Sequence, residues 1–170
     1  MALSGNKIPL IATHYSLIIR ELNALVIDVA TKIEKHFLFA MTYNQCKMGK
    51  KSLSHNCTQA VVCTYYDYTG MDEETLRNVG NAFAAGMGNI EGTCGAIVGA
   101  GVVLGLATKD KAKSVKAMRQ IMTQFQQRNG ATQCKLLKGV GTGKILRECP
   151  LCVADAAELL EEQLDKLTDK

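Results

Sequence analysis

Tryptophan is absent from this sequence, prolines number two, Pro9 and Pro150, and aromatic residues are scarce at 5%. The few aromatics do not interleave with basic side chains, so the stacking platforms of single-stranded nucleic-acid binders are missing. Lys109, Lys111, Lys113 and Lys116 cluster at the opening of one helix, and the formal net charge is +4. This reads as a solvated helix face, and no nucleic-acid partner is expected. Long apolar runs are also lacking. A bilayer span needs about 18–20 apolar residues, and Cys94–Ala107 is too short, so no membrane span is expected. The apolar stretch Ile8–Ile19 contains His14, runs into Arg20-Glu21, and has no A-x-A-type cleavage site after it. The expected compartment is therefore the cytoplasm. No segment alternates for long as a strand would, and neither a Ser–His–Asp set nor a suggestive carboxylate pair is visible.

Against these absences stand seven cysteines in 170 residues. A chain of this length buries about 70% of its unfolded surface and needs no staples to fold. In a reducing compartment, cysteines serve more often as ligands or redox centres than as disulfides. Seven is also odd, so a pure disulfide framework leaves one over.

The chain reads as all-α, a single-domain bundle of about six to seven helices led by a long N-terminal amphipathic helix. In that first helix, Ile11, Tyr15, Ile18, Leu22, Leu25, Val29 and Ile33 recur at steps of three and four. Leu17, Ile19, Val26 and Ile27 widen its apolar face beyond one seam. Residues 1–43 form this helix region, which is expected to act as an oligomerisation element building a homodimer. Residues 44–170 form the cysteine-bearing domain, packed as one unit after the polar connector Asn44–His55.

Within the second region, Asn56 is a good N-cap with Cys57 in the first turn, and that helix is expected to end near Tyr68-Thr69-Gly70. Asp72 opens the next helix, through Leu76, Val79 and Phe83, until Gly86, Gly88 and Gly92 break it. Thr93 is the expected N-cap for Cys94–Leu106. A further helix runs from about Asp110 to Gln127 and stops before Asn129-Gly130. Thr132–Lys138 forms a short helix carrying Cys134, followed by a loop with Gly139, Gly141 and Gly143. The last helix starts around Cys149-Pro150, where proline is tolerated.

Four cysteines thus fall near helix starts: Cys57, Cys94, Cys134 and Cys149. A helix N-terminus favours thiolate over thiol. Cys63 reads as core packing, and Cys46 as a bystander in the connector. Cys149-Pro150-Leu151-Cys152 is a C-x-x-C at a helix start without the βαβ setting of a thioredoxin-like centre. A local zinc module would need a second close pair or histidines at ligand spacing, and His14, His36 and His55 are scattered. The absence of C-x-x-C-H excludes covalent haem. Gly139-Val140-Gly141-Thr142-Gly143-Lys144 lacks the G-x-x-x-x-G-K-[ST] spacing, so no nucleotide is expected. In the helix after Cys94, Gly95 and Gly99 share a face at i, i+4 beside Ala96 and Ala100, and Gly101 and Gly105 repeat the spacing. Such small residues admit close helix approach.

Asn56-Cys57-Thr58-Gln59-Ala60-Val61, Phe83…Gly86-Met87-Gly88, Thr93-Cys94-Gly95-Ala96-Ile97-Val98-Gly99-Ala100, Cys134-Lys135-Leu136-Leu137 and Cys149…Val153…Ala156-Ala157-Glu158 together resemble the C_GCAxxG_C_C family of four-cysteine redox-active proteins. The resemblance covers roughly residues 50–165, and a similar module occurs in split-Soret cytochromes. It implies a helical fold with redox or metal chemistry at Cys57, Cys94, Cys134 and Cys149, and an iron–sulfur cluster or another thiolate-bound metal. Gly95, Ala96 and Gly99 are then the expected cofactor-adjacent residues. Ala84 and Ala85 stand where the family often has glycine, which should stiffen that turn.

Three functions follow as alternatives. The four cysteines hold an iron–sulfur cluster for electron transfer with a redox partner protein; they work in pairs as a cofactor-free dithiol/disulfide oxidoreductase; or the protein is a non-enzymatic helical unit with a structural metal.

Overall fold

The computed structural model describes residues 18–30, 33 and 55–168. Compactness divides the chain into two units, Met1–Leu38 and Phe39–Lys170. In the first unit, residues 18–30 are helical (α1), as is Ile33, and all of them are exposed. Ile19, Leu22, Val26 and Ile27 each leave more than half of their surface in solvent, at 54%, 54%, 64% and 65%. The expected helix Ile11–Ile33 is thus observed over this part. Positions 11–17, His14, His36, the connector 44–54 and Cys46 lie outside the described residues.

The second unit is all-α among its described residues. Its elements are α2 (Cys57–Val62), α3 (Glu73–Gly80), α4 (Gly95–Thr108), α5 (Lys111–Asn129), α6 (Cys134–Leu137) and α7 (Cys149–Thr168), with 3-10 turns at Tyr66–Tyr68 and Asn81–Phe83. The only β pairing among them is an isolated bridge between Thr93 and Gln133.

Local chemistry sets most boundaries. Asn56 and Gln59 form a capping box at the start of α2, each side chain accepting from the other's backbone N–H. Asp72 caps α3 through Thr75 N–H, and Asp110 caps α5 through Ala112 and Lys113 N–H. Gly130 ends α5 in the left-handed conformation at φ +79°.

Three boundaries differ from expectation. α2 stops at Val62 rather than near Tyr68. Thr64 Oγ1 donates back to Ala60 O at 2.8 Å, and the buried Tyr65 donates its hydroxyl to Ala157 O and Glu161 Oε1 on α7. Anchoring Tyr65 on α7 turns the chain out of its helix. α3 ends at Gly80, and the next three residues tighten into a 3-10 turn. Thr93 does not cap α4. It is engaged in the bridge to Gln133, and Cys94 itself is the flanking residue.

α4 is apolar on every side, the pattern of a helix enclosed by others. It packs against α2, α5 and α7. Ala96, Ala100, Val103 and Leu104 are fully enclosed, with Val61, Leu76, Ile121, Phe125, Val153 and Leu160 from the surrounding helices in the same core. Gly99 lets α2 come close, since a Cβ there would lie 2.9 Å from both Thr58 O and Val61 Cβ. The repeat does not extend further. A Cβ at Gly101 would meet only Met118 Sδ at 3.4 Å, and one at Gly105 would meet nothing within 4 Å. α2 and α3 form an antiparallel hairpin pinned by Asn56 Nδ2 to Gly80 O and by Gln59 Nε2 to Arg77 O and Asn81 Oδ1, at 2.8–2.9 Å.

Candidate functional site: a cluster of buried thiols

Four helix starts carry the motif cysteines. Cys57, Cys134 and Cys149 are the first residues of α2, α6 and α7, and Cys94 immediately precedes α4. The six described cysteines are all free thiols. Cys57, Cys94 and Cys134 are buried, and Cys149 is half-buried.

Backbone bonds draw two of these starts, those of α4 and α6, together. Cys94 N–H donates to Thr132 O at 2.8 Å, just ahead of α6. Cys134 N–H donates to Gly92 O at 3.0 Å and Lys135 N–H to Ile90 O at 2.8 Å, which seats α6 on the 84–93 loop. Gly86, at φ +58°, faces Cys134 so closely that a Cβ would lie 2.7 Å from the cysteine's own Cβ. Gly95 serves Cys57 in the same way: a Cβ there would collide with the Cys57 sulfur, and would lie 2.7 Å from Phe83 O. Thr58 Oγ1 donates to Gly95 O at 2.8 Å, fixing α2 and α4 at this point. Gly95 therefore lies against the Cys57 sulfur, whereas Gly99 serves helix packing one turn away.

The electrostatics report the same neighbourhood. Burial pushes the Cys134 thiol up, Lys138 pulls it down, and negative charge on Cys94, Cys149 and Cys57 pushes it up again. Each of the other three motif cysteines is therefore near enough for its charge to be felt at Cys134. The helix-start argument predicts the opposite direction for Cys134. The helix terminus offers partial charge, but removing the sulfur from water outweighs it.

A fifth thiol belongs to this cluster. Cys152 is buried one turn into α7, and its S–H has two acceptors, the Cys94 sulfur and Arg147 O at 3.7 Å. The hydrogen bond to Cys94, then burial, hold Cys152 strongly in its protonated form. The C-x-x-C spacing could have flagged it, because i and i+3 lie on one helix face. Arg147 is itself fixed by a bidentate pair to the buried Asp155, at 2.8 and 3.0 Å.

Among the described residues, the group of three ligand side chains whose donor atoms all lie within 4.8 Å of one another is a different one: His55, Cys63 and Glu73. The sequence assigns Cys63 to the core, where it does pack, and singles out no site role for Glu73. The hairpin of α2 and α3 brings the three together, and no sequence spacing announces it.

Cys57, Cys94, Cys134 and Cys149 thus stand as four free thiols at four helix starts. Residues 55–163 match the family model described as "Putative redox-active protein (C_GCAxxG_C_C)". The chain belongs to the C_GCAxxG_C_C family. Neither the curated proteins nor the solved structures compared with the chain give a match. No described helix is long and apolar enough to cross a membrane.

Proposed function

We propose that the protein carries out one-electron redox chemistry at an iron–sulfur cluster held by Cys57, Cys94, Cys134 and Cys149, exchanging electrons with a partner protein. The observation that carries this reading is geometric: four free thiols at helix starts, with Cys94 and Cys134 tied across through Thr132 O and Gly92 O and the Cys57 sulfur seated against Gly95. Four such thiols can be held together as thiolates in a water-poor pocket only when something positive offsets their mutual repulsion. An iron–sulfur core does so, and when bound it takes up and releases single electrons. The donor set fits such a group: four free thiols at the ends of four helices.

The chain's own residues have definable parts. Gly95 leaves the Cys57 sulfur room beside α4. Cys152 keeps its proton and offers it to the Cys94 sulfur, and hydrogen bonds to ligand sulfurs tune the potential of such centres. The half-buried Cys149 marks the side nearest solvent. A dithiol oxidoreductase instead needs an accessible thiol of lowered pKa as nucleophile. Cys134, one of the four, has the opposite properties: it is buried and its thiol is pushed up. Anaerobic titration with a one-electron reductant tests the proposal. A visible absorbance that bleaches in a one-electron step supports it. A colourless protein that loses and regains two titratable thiols per cycle refutes it.

The exposed apolar surface of α1 supports self-association as a homodimer. Light scattering on the full chain and on a truncation starting near Lys47 checks this. A monomeric full chain at micromolar concentration, or an unchanged state after truncation, contradicts it.

A further inference from the structure

Cys63, His55 and Glu73 gather three donors of different chemistry along one side of the α2–α3 hairpin. His55 precedes α2, Cys63 caps its C-terminus, and Glu73 opens α3. Their donor atoms all lie within 4.8 Å of one another. His55 Nε2 is 3.8 Å from Glu73 Oε1, and the Cys63 S–H points at Glu73 O at 3.9 Å. The frame is rigid: the Asn56–Gly80, Gln59–Arg77 and Gln59–Asn81 bonds fix the two helices in register, and the Cys63 N–H is tied to Gln59 O at 2.9 Å. The sulfur is buried, the imidazole is mostly covered, and the carboxylate reaches solvent.

We infer that His55, Cys63 and Glu73 form a second cation site, separate from the four-cysteine cluster, that takes a single borderline divalent ion of the zinc type with a water as fourth ligand. The donor set argues for this class. One sulfur, one imidazole nitrogen and one carboxylate oxygen match the ligands of zinc, whereas calcium and magnesium call for oxygen throughout. Three protein ligands leave the open fourth position of an accessible zinc site.

The surroundings already treat this point as a place for positive charge. Arg77 Nη2 donates to His55 Nε2 at 3.0 Å, so that lone pair is presented as an acceptor. Burial and then the Glu73 charge hold the Cys63 thiol up, while Arg77 pulls it down. A divalent ion at the same place draws off the Cys63 proton, leaving the thiolate bound, and displaces the guanidinium from Nε2. Arg77 and the ion are therefore competitors for one lone pair.

Binding of Co²⁺ and Zn²⁺ to the anaerobically isolated full-length protein, with its sulfur cluster as isolated, tests the inference. Equilibrium dialysis should find one more equivalent in the wild type than in Cys63→Ser, with unchanged iron and sulfide content in both. The wild-type Co²⁺ adduct should carry a thiolate charge-transfer band that Cys63→Ser lacks. Glu73→Gln, at an exposed position, should keep the fold and weaken binding about tenfold or more. Arg77→Met should tighten it. Equal stoichiometry and affinity in the wild type, Cys63→Ser and Glu73→Gln overturns the site. Because iron and sulfide are read separately, failure here is distinct from failure of the cluster.

Discussion

The two ends of α2 carry the same residue type in opposite settings. Cys57 at its N-terminus enters a neighbourhood of thiols, closed in by Gly95 and by the starts of three other helices. Cys63 at its C-terminus meets an imidazole, a carboxylate and a guanidinium on the rim of a helix hairpin. The first setting is uniform in donor chemistry and poor in water; the second is mixed and open on one side. Soft, uniform sulfur donors suit polynuclear iron–sulfur chemistry, and a mixed S, N, O set suits a single borderline ion. What a cysteine does thus follows from which helix ends it meets, six residues along one short helix being enough to change its chemistry.

The largest effect separating the two ends should come from Cys134→Ser against Cys63→Ser. The first removes one of four ligands of the proposed cluster, and should cost iron retention by at least about tenfold. The second should leave iron and sulfide untouched. Metal analysis of both variants decides whether the two ends are independent.

Gly95→Ala should act on the Cys57 end alone. Its methyl would collide with the Cys57 sulfur and with Phe83 O and Thr58 Oγ1, at 2.7 and 2.8 Å. A loss of about 1–3 kcal/mol is expected from overpacking, with a lower iron content. Denaturant titration reads the first effect and metal analysis the second. Gly105→Ala, which meets nothing within 4 Å, is the matched control and should be neutral or slightly stabilising.

The metal-free protein should lose stability as pH rises past the ordinary thiol value of 9.0. Cys134, Cys152 and Cys63 are all held up in the folded state. The unfolded chain then releases these protons first, so unfolding is favoured between the unfolded and folded values. Thermal midpoints at pH 8 and pH 10 check the sign. With Cys134 and Cys63 already deprotonated by bound metal, the loaded protein should show a smaller decline, the part due to Cys152 remaining.

The smallest effect should come from the loop that seats Cys134. Ala85 adopts φ +48°, a left-handed conformation that costs a side-chain-bearing residue about 1–2 kcal/mol. Ala85→Gly should relieve part of this and raise stability by under about 1 kcal/mol, since glycine also gains freedom in the unfolded chain. Calorimetry on the two proteins measures it. The stiffening expected of alanine in this turn is thus accompanied by strain at Ala85, while Ala84 remains extended.

The all-α fold was legible in the sequence because its signals are local. Asn56, Asp72, Asp110 and Gly130 mark helix ends through hydrogen bonds within a few residues, and Pro150 marks one through its fixed φ. The early stop of α2 was not legible, because it depends on the Tyr65 hydroxyl reaching Ala157 and Glu161, some ninety residues on. The same distinction divides the sites. The four helix-start cysteines stood out by position and by family pattern. Cys152 was seen in a C-x-x-C but given no role, since its contact with Cys94 crosses from α7 to the start of α4. Cys63 reads as core packing, His55 as one of three scattered histidines, and Glu73 carries no motif at all. Only the register of the hairpin makes them neighbours.

A shared site of four thiols is tested most directly by iron and acid-labile sulfide per chain in protein purified without oxygen. Such a site predicts both, in near-equal amounts, in the wild type and in Cys63→Ser, and their loss in Cys134→Ser. Wild-type protein that holds neither, even after anaerobic reconstitution with iron and sulfide, contradicts it.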